Sequence, residues 1–335
     1  MQFAVPPRKN SVPSASSPFV PSFKPSTRYS SAARRRQLRS YAFMGVGVLF
    51  FFYLVSKLFG SGSSSGGLNL VGTSGGGGPN VVIVTVLDEQ ALSDKYIQRI
   101  KQNREDYAKR HGYVNFFAST SEYAHLLDNA PRTWASVPAV RHALTLYPRA
   151  TFFWHLSPHS FITNPSLSLE NHVLSKSRLE ELMIKDQPVV PPDSVIRTFS
   201  HLSGKDVDLV VTQDKENLCP GSFFIRNTEW AKFFLDAWFD PLYRSYNFAK
   251  AETHALDHIV QWHPTMLAKL ALVPQRIINA YAGQAPTPGP DGLYHEGDLV
   301  IRFLGCDQIG ANRNCEAEMM PYYTNWVKET GNTVL

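Results

Sequence analysis

The run VVIVTVLD at 81–88 constrains the fold more than any other stretch of the chain. It is continuously apolar and β-branched, without the alternation that marks a strand with one wet face. Such a strand needs an apolar layer on each side, so helices must cover both faces of its sheet. The residues that follow supply them. Ser93 is placed to cap a helix carrying Tyr96, Ile97, Ile100, Tyr107 and Ala108 on one face, and Gly112 is placed to end it. YVNFF at 113–117 predicts a second strand. Trp134, Val137, Val140, Leu144 and Tyr147 then recur at helical spacing, with Ser136 near the start, Pro138 in the first turn and Pro148 at the end. Further strands are predicted at 150–156, 207–213, 222–227 and 299–305, and further helices at 228–239 and 252–262. This alternation predicts an α/β domain: a mostly parallel sheet with helices on both faces.

The domain occupies about 80–330 of the 335 residues, and what precedes it differs in kind. Residues 1–40 hold eight Lys and Arg, no Asp or Glu, and little apolar periodicity, which predicts a disordered basic tail. Removing those eight charges and Lys57 takes the formal net charge from +5 to −4. The folded part is therefore mildly acidic, which argues against a nucleic-acid-binding role. Residues 41–59 begin with the uncharged run YAFMGVGVLFFFYLV. As a helix the segment would span roughly 28 Å, enough for a thin bilayer core. Arg34, Arg35, Arg36 and Arg39 stand just before it, which places the N-terminus in the cytosol and the domain in the lumen. A cleaved signal peptide is the alternative; the length of the apolar run favours an uncleaved single-pass transmembrane anchor. Residues 60–79 read as a Gly/Ser stalk.

Ligands of open α/β sheets bind beyond the carboxyl ends of strands. In FFWHLSPHSFITNP at 152–165 the apolar strand stops and Ser157, Pro158 and His159 follow, at that edge. Asp214, Lys215 and Glu216 also follow a strand, facing either a ligand or solvent. His254 and His258 have the helical spacing of metal ligands but no third ligand nearby in sequence. In an oxidising lumen Cys306 and Cys315 are placed to form a disulfide, which leaves Cys219 as a buried thiol or a bond to a partner.

The blocks NREDYAKRHGY (103–113), WASVPAVRHALTLYP (134–148), GSFFIRNTEWAKFFLDAW (221–238), VPQRIINAY (273–281) and DLVIRFLGC (298–306) occur in a recognisable order. Together they resemble the fungal Golgi galactosyl- and mannosyltransferase family, relatives of plant xyloglucan xylosyltransferases. Within it they are most similar to the α-1,6-mannosyltransferase subunits of the mannan polymerase complex. The resemblance implies a GT-A-like fold and a single-pass type II Golgi membrane protein. It further implies a GDP-mannose donor, retention of configuration, a mannan or N-glycan acceptor and sister glycosyltransferase subunits as partners. It also implies Mn²⁺ held by an Asp-x-Asp motif and a late histidine. Here those places hold Ser157-Pro158-His159 and Arg302. Cys219-Pro220-Gly221 stands where the family has Asn-Ala-Gly, and Thr253, beside His254, where it has a glutamine. The candidate donor-binding residues are thus Ser157, His159, Gly221 and Arg302; the candidate catalytic residues are Thr253, His254 and Asp214; no metal ligand set is assigned. Two possibilities stay open. Arg302 supplies the missing positive charge to a diphosphate, or the chain is an inactive scaffold for an active sister subunit.

Overall fold

The computed structural model describes residues 80–190, 194–283, 285, 288–289, 291–306 and 313–335. The predicted basic tail, membrane anchor and stalk lie outside the described residues. Among the described residues no helix is long and apolar enough to cross a membrane.

The strands are β1 (Val81–Leu87), β2 (Val114–Ser119), β3 (Phe152–Leu156), β4 (Ser160–Ile162), β5 (Leu209–Gln213), β6 (Leu218–Arg226), β7 (Leu270–Leu272), β8 (Ala280–Tyr281) and β9 (Val300–Arg302). The principal helices are α1 (Asp94–His111), α2 (Ser136–Leu146), α3 (Lys176–Leu182), α4 (Glu229–Trp238), α5 (Ala251–Trp262), α6 (Gln275–Asn279) and α7 (Cys315–Thr330). A six-stranded sheet has the order β2-β1-β3-β6-β5-β7, and a three-stranded sheet the order β4-β9-β8.

Every residue of β1 is buried. Val82, Val84 and Val86 pack with α2, α4 and α5, whereas Val81 and Ile83 pack with Tyr107 and Ala108 of α1 and Leu179 of α3. The two-sided burial predicted for 81–88 is therefore present. The Ser93 side chain accepts the Tyr96 N–H, and Gly112 ends α1 at φ +72°. That left-handed conformation costs a residue with a Cβ about 1–2 kcal/mol.

The sheet is mixed rather than mostly parallel. β1 runs parallel to β2 and β3, and β5 to β7, but β6 is antiparallel to both its neighbours. The cause is local. Only residues 214–217 join β5 to β6, and a parallel pair needs a crossover of roughly a dozen residues or more. Pro220 inside β6 lies opposite a register shift between Val211 and Gln213, where a missing N–H does least harm.

The smaller sheet tethers the chain beyond β3 to the late strand. β4 is antiparallel to β9, with Ser160 opposite Arg302, and β8 is parallel to β9, with Tyr281 opposite Arg302. Phe161, Ile301 and Phe303 then pack with Met319, Tyr323 and Trp326 of α7. The predicted disulfide Cys306–Cys315 is formed and joins the chain after β9 to the first residue of α7. Cys219 is a buried free thiol, as favoured from the sequence.

Candidate functional site

β3 ends at Leu156, and the chain turns sharply over 157–160. The Ser157 N–H donates to the Gly221 carbonyl at 2.8 Å, and the Ser157 carbonyl accepts the Ser160 N–H at 3.0 Å. The Ser157 hydroxyl oxygen accepts the His159 N–H at 3.2 Å. The His159 ring lies beside Tyr96, whose hydroxyl is 3.4 Å from Nδ1 and donates to the Pro158 carbonyl. The Phe303 N–H donates to the His159 carbonyl at 2.9 Å, which seats Arg302 next to the same turn.

The four candidate donor-binding residues are therefore brought together. Arg302 is 6% exposed, and its guanidinium lies directly over Gly221. A Cβ at position 221 would fall 1.0 Å from one terminal nitrogen of that group and 1.9 Å from Cζ. Glycine at 221 is thus the space that admits the arginine.

A second guanidinium stands behind the turn. Arg104 of α1 is fully buried and donates to the Ser160 carbonyl at 2.6 Å, to the Ser157 carbonyl at 3.3 Å and to Asn103. Burial pushes its pKa down to about 9. It holds the 157–160 turn through carbonyl oxygens rather than a carboxylate. Sequence reasoning missed Arg104, although it lies four residues after Ile100 on the apolar stripe of α1, where a cation is anomalous.

Asp214, at the end of β5, is also buried. One carboxylate oxygen accepts the backbone N–H groups of Glu216 and Asn217, each at 2.8 Å, and the other accepts the Tyr281 hydroxyl at 2.9 Å. Tyr281 is in turn 3.2 Å from the Cys219 thiol. Burial pushes the thiol up to about 12, with a further push from Asp214 and an opposing pull from Arg302. Burial, then Cys219 and Asp214, raise the Tyr281 hydroxyl well above its usual value against an opposing pull from Arg302. Asp214, Tyr281 and Cys219 form one buried hydrogen-bonded cluster, and both Asp214 oxygens are engaged in holding it.

Thr253 and His254 open α5, across the 214–217 turn from Asp214. The Thr253 N–H donates to the Lys250 carbonyl, and His254 Nδ1 accepts the Lys250 N–H at 3.4 Å. Burial, then Lys250, lowers the His254 pKa below the usual imidazole value. The Lys250 ammonium bonds Glu216 and Asn217, so Asp214 and Glu216 of the charged trio belong to a bonded turn, whereas Lys215 is exposed. Asn217 also donates to Asp257 at 2.7 Å, and the Leu218 N–H donates to the other Asp257 oxygen at 2.9 Å. Burial pushes the Asp257 carboxyl up to about 7. Nothing local in the sequence marks Asp257, because its partners lie about forty residues earlier. The structure thus links Thr253 and His254 to Asp214 but not directly to Ser157 or Arg302.

The residues at the sheet edge do not fit a divalent metal of the Mn²⁺ type. Such ions take hard oxygen ligands, chiefly carboxylates. Here the edge offers a serine oxygen already accepting a backbone N–H, an imidazole beside a tyrosine, and a guanidinium that would repel the ion. Among the described residues no group of three His, Cys, Asp or Glu is placed to hold a metal.

Residues 77–313 match the model of the galactosyl transferase GMA12/MNN10 family. The chain belongs to this family. Among its members, an uncharacterized α-1,2-galactosyltransferase of Schizosaccharomyces pombe is 33% identical over 237 residues, covering 68% of this chain and 62% of that protein. An α-1,2-galactosyltransferase of the same yeast is 32% identical, covering 68% and 60%. The probable α-1,6-mannosyltransferase MNN11 of Saccharomyces cerevisiae is 30% identical over 263 residues, covering 73% and 61%. The chain thus spans about three fifths of the length of these relatives, and their names divide between two sugars and two linkages. Among solved structures, a glycosyltransferase involved in glycosylation of the PBCV-1 major capsid aligns with a TM-score of 0.47 at 10% identity, covering 73% of this chain and 100% of that one. The galactosyltransferase LgtC, in complex with donor and acceptor sugar analogs, aligns with a TM-score of 0.42 at 10% identity, covering 76% and 97%.

Proposed function

We propose that this chain is a GT-A-like glycosyltransferase subunit that uses a nucleotide-sugar donor without a divalent metal, Arg302 supplying the positive charge. The finer reading is GDP-mannose as donor and a mannan or N-glycan outer chain as acceptor. The subunit would act in the Golgi lumen beside sister subunits, held by a membrane anchor at 41–59. Family membership supports the reaction class, and the anchor pattern supports the location. The observation that carries the metal-free proposal is the guanidinium lodged over Gly221, at the edge where the family resemblance implies a metal.

A nucleoside diphosphate gains negative charge as its bond to the sugar breaks, and a preorganised cation at that point lowers the barrier. A guanidinium can fork onto two phosphate oxygens with no proton to lose. Arg104 holds the 157–160 turn through two of its carbonyls and the Gly221 carbonyl holds its first N–H, so the edge is hydrogen-bonded in place independently of donor. Thr253 and His254, at the start of α5, adjoin this edge through Lys250 and the 214–217 turn.

One observation favours a second reading. Arg302 is almost completely buried and the Asp214 oxygens are occupied internally, which suits a subunit that has stopped turning over and supports an active sister. Mannose transfer from GDP-mannose to an α-mannoside by the full-length chain separates the two. The metal-free reading expects turnover unchanged by EDTA and reduced by roughly 10²–10³ in Arg302→Ala, the usual scale for one charge-stabilising group. Turnover abolished by EDTA contradicts it. Turnover seen only after adding a sister subunit with intact aspartates establishes the second reading. UDP-galactose offered in parallel decides the sugar.

A further inference from the structure

Helix α5 carries three aromatic rings that the reaction site does not use in full: His254, His258 and Trp262, each four residues after the last. Residues four apart share a helix face. The preceding segment adds Tyr243, Tyr246 and Phe248 to the same stripe. His258 is its centre: its ring lies 5.5 Å from Tyr243, 6.4 Å from Tyr246 and 6.2 Å from Phe248, and stacks on Trp262 at 5.9 Å with 29° between planes. Phe248 lies 6.4 Å from His254. Two of these rings face solvent, Trp262 at 70% exposed and Tyr246 at 49%. A solvent-facing tryptophan continuous with five other aromatic rings is an organised surface rather than a scattered apolar residue.

We propose that this stripe is the platform on which the acceptor glycan lies. The inference rests on the reading of the chain as a glycan-elongating family member and adds where the glycan binds. Three observations favour a carbohydrate. The exposed rings are Trp262 and Tyr246; an aromatic face attracts the weakly positive C–H face of a pyranose, and Tyr and Trp also carry a polar tip. Its margin is polar, with Lys250, Glu216 and Asn247, which suits ring hydroxyls. It is also continuous with the candidate site: His254 at one end shares Lys250 with the 214–217 turn. From His254 to Trp262 the helix rises about 12 Å, so the stripe is about two sugar units long. Burial, then the neighbouring His263, lowers the His258 pKa below the usual imidazole value.

The test is a titration of the full-length chain with α-1,6-linked mannotetraose, followed by calorimetry and tryptophan fluorescence, with GDP titrated into the same preparations. Saturable glycan binding is expected, weakened about tenfold or more by Trp262→Ala and by Tyr246→Ala, the scale for exposed aromatic anchors. The melting temperature should stay within 2 °C, because both rings are exposed. Phe233→Ala, which removes an exposed aromatic of α4, should leave glycan binding unchanged. GDP binding with no mannotetraose binding overturns this inference and leaves the donor reading standing. Mannotetraose binding unaffected by both variants also overturns it, as does loss of self-association or sister-subunit binding in Trp262→Ala with glycan affinity intact. Mannotetraose binding that needs Trp262 and Tyr246, with no GDP binding, upholds the platform and removes the donor reading instead.

Discussion

Replacing Gly221 by alanine tests directly whether Arg302 occupies the sheet edge. The added Cβ would fall 1.0 Å from a guanidinium nitrogen, 1.9 Å from Cζ and 2.5 Å from the other terminal nitrogen. No adjustment of a few tenths of an ångström accommodates that, so the guanidinium must leave its position beside Cys219 and Tyr281. Overpacking a dense interior costs about 1–3 kcal/mol. At roughly 2–4 °C per kcal/mol for a domain of this size, melting should fall by about 2–12 °C. In an Arg302→Ala background the three nearest atoms are gone, and the same substitution should cost less than about 0.5 kcal/mol. A double-mutant cycle by denaturant unfolding therefore predicts a coupling of about 1–2 kcal/mol or more between positions 221 and 302. Equal costs of Gly221→Ala in both backgrounds would refute the placement of Arg302, and with it the protein-borne cation.

Asp257 should make stability depend on pH. Its folded pKa of about 7 lies above the usual carboxylate value, so between about pH 4 and 7 the folded state holds a proton that the unfolded chain has released. Stability should fall by a few kcal/mol as pH rises through that window, and Asp257→Asn should flatten the slope; an unchanged slope in urea unfolding series rules this out. Removing the Cys306–Cys315 bond by a double serine substitution frees a loop of about ten residues and should cost about 2–3 kcal/mol in denaturant unfolding. Ser93→Ala removes the cap of α1 and the hydroxyl bonded to Glu316, and should cost about 1 kcal/mol; a melting temperature identical to the parent's would contradict that role.

The elements legible in the sequence are those with a long period or a firm punctuation mark. The two-sided run at 81–88, the Ser93-to-Gly112 helix and the Trp134 stripe emerge with boundaries within one or two residues of those predicted. The direction of β6 was not predicted, because apolar periodicity marks a strand without orienting it. The short 214–217 connection carries that information. Strands β4, β7 and β8 have two or three residues each, too few to show a period, whereas β9 (Val300–Arg302) falls inside the strand predicted at 299–305. Helix α7 contains Pro321 and little amphipathic pattern, so its existence rests on tertiary packing of Met319, Tyr323 and Trp326. At the site, positions 157, 159, 221 and 302 could be grouped only through the family resemblance, since over 140 residues separate the first from the last. Arg104 was legible as a cation on an apolar face. Asp257 was not, because its role depends on Asn217 and Leu218 arriving from another strand.

The claim on which the rest depends is that the positive charge at the β3 edge belongs to the protein. Calorimetric titration of GDP-mannose into the full-length chain, once in EDTA and once with saturating Mn²⁺, addresses it most directly. Isotherms that coincide are expected, with loss of binding in Arg302→Ala under both conditions. Affinity that appears only with Mn²⁺, or tightens tenfold or more when it is added, would contradict it.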